Sequence, residues 1–224
     1  MHLLTTANQA LNLLPLLSLA LALPSSLTPR TCGTVLPPSN FYQISQGPAV
    51  LRNNTGDRGP FFNPSAPPGQ QTTFSFFVAE YANDDGKQDL VASFKDVPCP
   101  PAGRGPYAVQ FAFDGTVGAT TTGNTKIDVF AITGDLPTQT VNGVMSEVPT
   151  WDNIAAQTGS LIGTFAFPAS GSASSVVYIN SVTCTPTINL RFSIADPNGD
   201  TPADDGTVTY AQDGVMGLQI QYGC

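Results

Sequence analysis

The chain has 224 residues and sets sixteen acidic side chains against eight basic ones, a formal net charge of −8. That balance repels nucleic acid and anionic membrane surfaces, so neither is expected as a partner. The single histidine is His2, which removes the commonest general base, triad partner and metal ligand from the rest of the chain and points away from an enzyme.

Leu11 to Leu23 is apolar apart from Asn12, Pro15 and Ser18, and it contains the small-x-small pattern Ala20-Leu21-Ala22. A run of this length is too short to span a bilayer and suits the core of a cleaved leader, so residues 1–22 are expected to be a signal peptide. Gly217 to Cys224 lacks the hydrophobic tail of a glycosylphosphatidylinositol signal. The expectation is therefore a secreted or extracellular protein, with the cell wall as one destination, no membrane span and no lipid anchor. Residues 23–38 are rich in Pro, Ser and Thr and read as an N-terminal arm, and residues 39–224 read as one domain with one core. Asn53-Asn54-Thr55 is an N-glycosylation sequon, whereas proline blocks Asn63-Pro64-Ser65. Gly56 to Gln71 reads as a proline-rich loop that seats Phe61 and Phe62 in apolar surroundings.

Beyond that loop the chain falls into short runs that mostly alternate apolar and polar residues, with Lys126–Ile132 apolar on both faces towards its end, as a central strand would be. These runs cover Thr73–Ala79, Leu90–Phe94, Tyr107–Phe113, Lys126–Ile132, Leu161–Phe167, Val176–Ile179, Asn189–Ile194, Thr207–Tyr210 and the stretch around Leu218, Ile220 and Tyr222. Period-two alternation marks strands with one buried and one wet face. Gly, Pro, Asn and Asp clusters separate the runs at the spacing of an all-β domain. The predicted fold is a two-sheet antiparallel β-sandwich, jelly-roll-like, with one helical turn near Asp152–Gln157 capped by Asp152. Gly115 to Thr125, low in complexity and rich in threonine, reads as a hairpin loop and an O-glycosylation patch.

All four cysteines lie beyond the leader, and an even number in an exported chain implies two disulfides with three pairings open. Cys32–Cys224, joining the domain ends, and Cys99–Cys184, joining strand ends, are the expected pairs. The run Asp196-Pro197-Asn198-Gly199-Asp200, leading to Asp204-Asp205-Gly206, offers oxygen ligands for calcium at Asp196, Asn198, Asp200 and Asp204. Thr201 and Thr207 stand where a calcium loop needs Gly and Glu, and a pair of tight turns is the plainer reading. Asn83-Asp84-Asp85-Gly86 reads as a hairpin turn. Apart from calcium, no cofactor is expected. Glu80 and Glu147, the only glutamates, do not form a recognisable acid–base pair. Asp128 is expected to face solvent, Lys126 or Arg191. Trp151, with Tyr42, Tyr81, Tyr107, Tyr178 and Tyr210, offers rings to stack on sugars, and Trp151, Tyr81 and Tyr107 are singled out, although a lone tryptophan beside a turn more often plugs a core.

Several segments together resemble one family of fungal secreted proteins. They are Leu90-Val91-Ala92-Ser93-Phe94 before Cys99, Val109–Phe113, Ile127–Phe130, Pro149-Thr150-Trp151-Asp152-Asn153, Val182-Thr183-Cys184 and Gly217–Tyr222. The family is named for the C-terminal domain of the ubiquitin-3-binding protein But-two. Thr185 departs from the pattern, which has proline directly after that cysteine. The resemblance implies fungal origin, a β-sandwich and no catalytic residue, and its name implies an adaptor of a ubiquitin-like pathway. The Trp151 block is also similar to one in bacterial carbohydrate-associated sandwich modules. The function expected is that of a non-catalytic cell-surface or wall protein that binds polysaccharide or another extracellular glycan. A carboxylate-dependent carbohydrate-active enzyme and the intracellular adaptor are the alternatives.

Overall fold

Backbone pairing organises the alternating runs into two antiparallel sheets packed face to face and a separate hairpin. The computed structural model describes residues 33–46, 74–81, 86–99, 106–115, 119–141, 144–147, 149–168, 172–197, 204–212 and 216–223, all within the unit that runs from Cys32 to Cys224. Residues 1–22, Asn53, Phe61, Phe62, Cys32 and Cys224 lie outside the described residues.

In chain order the elements are β1 (Thr34–Leu36), β2 (Asn40–Ser45), β3 (Phe74–Tyr81), β4 (Gly86–Phe94), β5 (Tyr107–Phe113), β6 (Thr120–Gly123), β7 (Lys126–Ile132), β8 (Thr138–Val141) and β9 (Val144–Glu147). Helix α1 (Trp151–Ala155) follows, then β10 (Thr158–Ala166), β11 (Ser175–Val182), β12 (Ile188–Ile194), β13 (Gly206–Gln212) and β14 (Gly217–Tyr222). The small sheet has the order β1-β14-β5-β11, and the large one β10-β7-β12-β4-β3-β13-β6, with β2 added to β4. Strand β4 takes three partners: β2 runs beside Gln88 to Ser93, β3 meets it at residues 86–88, and β12 pairs with Leu90 to Phe94.

Alternation decides what faces the interior. Strand β5 turns Tyr107, Val109, Phe111 and Phe113 inward, and β12 turns Ile188, Leu190, Phe192 and Ile194 to meet them. Phe111 sits at the centre of an aromatic cluster, its ring centroid between 4.7 and 5.6 Å from those of Phe113, Phe167, Phe76, Tyr210 and Phe165. Edge-on and offset contacts of this kind add about 0.5–1.5 kcal/mol per pair to simple burial. The disulfide Cys99–Cys184, one of the expected pairs, closes a separation of 85 residues with its Cα atoms 5.6 Å apart. Beside it Val97 donates to the Pro186 carbonyl at 3.0 Å, and the Tyr107 hydroxyl donates to that of Pro98.

Four features depart from the sequence expectation. Residues 34–36, within the stretch read as an arm, form β1 and pair with β14 from Thr34↔Tyr222 to Leu36↔Ile220. Strands β2, β8 and β9 arise where no strand was expected. Thr120–Gly123, within the expected loop, forms β6 against β13. Its side chains are largely exposed, so no apolar alternation betrays it, and Thr122 and Thr207 share a hydroxyl hydrogen bond of 2.7 Å instead. Gly123 ends that strand at φ +60, where an added Cβ would lie 2.1 Å from the Asp205 carbonyl oxygen. The helix starts two residues earlier than expected, because Thr150 and not Asp152 is its cap. Asn153 N–H donates to Thr150 Oγ1 at 3.4 Å, and Thr150 N–H donates back to Asn153 Oδ1 at 2.7 Å, a reciprocal capping box.

Candidate functional site

The outward faces of the two sheets carry different chemistry. On β4 the residues alternating with the core are Lys87, Asp89, Val91 and Ser93, and their counterparts on β12 are Asn189, Arg191 and Ser193. A second apolar cluster covers part of this face. It comprises Ile44, Val91, Ile132, Leu136 and Ile154, with Tyr42 and Trp151 packed against it. The short helix supplies both Trp151 and Ile154, so its capping box fixes the lid over the polar residues beneath.

Beneath that lid Asp89 is fully buried, and its Oδ2 accepts from Arg191 Nε at 2.6 Å. Arg191 Nη1 donates to Thr158 Oγ1 at 3.0 Å, and the guanidinium lies over the Trp151 ring, 4.4 Å from its centroid. Burial raises the Asp89 carboxyl above the usual carboxylate range, against the opposing pull of Arg191 and Ser193. Nearby, the Tyr42 hydroxyl donates to Glu147 Oε2, which also takes Lys95 Nζ at 2.8 Å. Burial and that carboxylate hold the Tyr42 phenol well above its ordinary range. At the β3–β4 end, Lys87 Nζ lies 2.8 Å from Glu80 Oε1 and 3.1 Å from Asp196 Oδ2. Each of these carboxylates is engaged by a base.

The outward face of the small sheet is uncharged. Register places Tyr178, Gln110 and Gln219 in one row across β11, β5 and β14. Val176, Ala112 and Gly217 form the next row. Gln110 Nε2 donates to Gln219 Oε1 at 3.1 Å, and both amides are buried. Tyr178 is 58% exposed and Val176 60% exposed at the β11 edge, with Val35 standing open on β1 at the far side. Gln110, Gln219, Ala112 and Gly217 are themselves buried, so the open part of this region is the β11 edge with the Tyr178 ring and Val176.

The structure does not bring the three singled-out aromatics together on one surface. Trp151 is half-buried against the lid cluster, with the Arg191 guanidinium over its ring. Tyr107 is 1% exposed and stacks on Tyr222 at 5.1 Å, so its ring belongs to the interior and offers no face to a ligand. Tyr81 is half-buried at the end of β3, opposite Gly86. Asp128 accepts from the Thr164 hydroxyl, across the strand pair from it, whereas Arg191 goes to Asp89. Of the proposed calcium ligands, Asn198 and Asp200 lie outside the described residues, Asp196 is paired with Lys87, and Asp204 is buried. Among the described residues no group of three or more His, Cys, Asp or Glu side chains is placed to hold a metal ion, and no helix is long and apolar enough to cross a membrane. Sequence reasoning missed Asp89, which precedes the apolar run Leu90–Phe94, and left Tyr178 undistinguished from the other tyrosines. The alternation Lys87, Asp89, Val91, Ser93 carried the signal for the first.

No protein-family model matches the chain, and no curated protein matches it at a significant level.

Proposed function

We propose that this chain is a secreted, non-catalytic protein of the fungal cell surface or wall, and that it binds neutral glycan through the outward face of its small sheet. The observation that carries the reading is the exposed Tyr178 ring, which stands with exposed Val176 at the edge of an uncharged sheet whose paired amides are buried behind it. An aromatic face gives a pyranose apolar contact while its polar tip stays wet, and a neutral surface suits a neutral, polyhydroxylated ligand better than an ionic one. The disulfide fits an oxidising compartment. The carboxylates Asp89, Glu147, Glu80 and Asp196 each sit in an ion pair, whereas glycoside hydrolysis needs an acid and a base facing one shared space. The resemblance to the But-two family adds fungal origin to the proposal; the adaptor role its name implies belongs to another compartment.

The test is retention of the purified protein on insoluble wall polysaccharides and in affinity gels containing soluble glucans and mannans. Retention is expected, and Tyr178→Ala weakens it about tenfold, the equivalent of about 1.4 kcal/mol. No retention of the unaltered protein on any glycan overturns the binding reading. Equal retention of the variant removes Tyr178 as the platform.

A further inference from the structure

The contact among Lys87, Glu80 and Asp196 brings together the parts of an amide-forming reaction. Glu80 on β3 lies directly across the hairpin from Lys87 on β4, and Asp196 follows two residues after β12, which pairs with the same strand. Three separate elements therefore deliver an amine and two carboxyl groups to one point. Lys87 Nζ is 2.8 Å from Glu80 Oε1 and 3.1 Å from Asp196 Oδ2. Side-chain exposure is 3% for Glu80, 20% for Lys87 and 18% for Asp196. Asp89, the next residue on that face of β4, is held by Arg191 at 2.6 Å.

We propose that Lys87 and Asp196 condense within the folded domain into an intramolecular isopeptide bond, with Glu80 as the proton carrier. Lys87 Nζ attacks Asp196 Cγ. The new bond is N–C and the bond that breaks is C–O. The ammonium gives up two protons, relayed through the Glu80 carboxyl to the departing oxygen, which leaves as water; Glu80 ends in the state in which it began. No oxidant or other reactant is consumed. Two physical effects drive the step. The fold holds the reacting groups at contact distance, replacing an encounter in solution by a fixed geometry. Condensation also removes one positive and one negative charge from a largely desolvated site, where charges are costly. Glu80, the driest of the three, is within hydrogen-bond reach of the amine, as a general acid–base group must be. The product would be a covalent strut between β4 and the segment after β12.

Mass spectrometry of the purified, folded chain tests this directly. The expected result is that residues 59–95, left uncut after Lys87 because its amine is acylated, are recovered joined to the tryptic peptide bearing Asp196, with a total mass about 18 Da below the sum of those two segments, the loss of one water. Asp196→Ala and Glu80→Gln should each release the two peptides at full mass. Asp196→Asn should keep the link with a loss of about 17 Da, as ammonia leaves instead. Separate, full-mass peptides from the unaltered protein overturn the proposal whatever the variants do. A link that persists in Glu80→Gln overturns the role given to Glu80.

Discussion

Replacing Arg191 by methionine tests the buried charge cluster under the helical lid. The substitution keeps an unbranched apolar stem but takes away the Nε contact to Asp89 at 2.6 Å, the Nη1 contact to Thr158 at 3.0 Å and the cation over Trp151 at 4.4 Å. Asp89, with no exposed surface, would be left as a buried carboxylate without its counter-ion. Breaking a buried pair from one side costs about 3–5 kcal/mol, and loss of the stacked ring contact adds to that. The deficit must also depend on pH. Burial already raises the Asp89 carboxyl above its ordinary value, and Arg191 is the strongest influence pulling it back. Without Arg191 the folded state binds the proton more tightly still. An acid whose folded value exceeds its unfolded one contributes less stability as pH rises from the unfolded towards the folded value. The deficit should therefore be full near neutral pH and shrink as pH falls towards the unfolded value of about 4, being smallest below about 3, where the carboxyl is neutral in both states. The companion variant Asp89→Leu combined with Arg191→Met should recover most of the loss, because no charge remains buried. Urea denaturation followed by far-ultraviolet circular dichroism from about pH 4 to pH 8 measures this, with the emission of the sole tryptophan, Trp151, reporting on the lid. A loss below about 1 kcal/mol at neutral pH, the size of an exposed pair, or a loss that stays constant with pH, would refute the reasoning.

Three further outcomes are expected. Phe111→Ala, which empties the centre of five ring contacts, should cost about 3–5 kcal/mol in the same denaturation assay; a cost under about 1 kcal/mol would mean that the cluster repacks. Replacing Cys99 and Cys184 together by serine opens a loop of 85 residues and should cost about 4–5 kcal/mol in the chain-entropy model, visible as a lower urea midpoint. Tyr178→Ala, on the open face, should leave stability within about 0.5 kcal/mol of the unaltered protein, so that weaker glycan retention in that variant reflects the surface and not the fold.

The strands that were legible in the sequence are those with one face sealed. Tyr107–Phe113 and Lys126–Ile132 were readable to the residue because Val109, Phe111, Phe113, Ile127 and Val129 are fully or nearly fully buried and their neighbours are not obliged to be apolar. Thr120–Gly123 was not readable, because an edge strand held by backbone bonds and threonine hydroxyls needs no apolar alternation. Strand β2 was hidden in a different way. Both of its faces are partly covered, Phe41 by the main core and Ile44 by the lid cluster, so Asn-Phe-Tyr-Gln-Ile-Ser lacks a clean period of two. Trp151 was open to both a core and a ligand reading; the Arg191 guanidinium on its ring and Ile154 beside it are what settle its surroundings.

Local pattern alone determined the all-β class, the antiparallel two-sheet architecture and the inward faces of strands such as β5 and β12, because alternation, turn chemistry and hydrophobic burial act over a few neighbouring positions. Tertiary structure alone decided the charge partners and the open surfaces. Asp89 and Arg191 are 102 residues apart in the chain, Lys87 and Asp196 are 109 apart, and Tyr178 shares a row with Gln110 and Gln219 only through strand register. Side chains facing away from a core carry no periodic signature of what covers them. Whether such a residue meets water, a counter-ion or a ligand is settled when distant strands come into register.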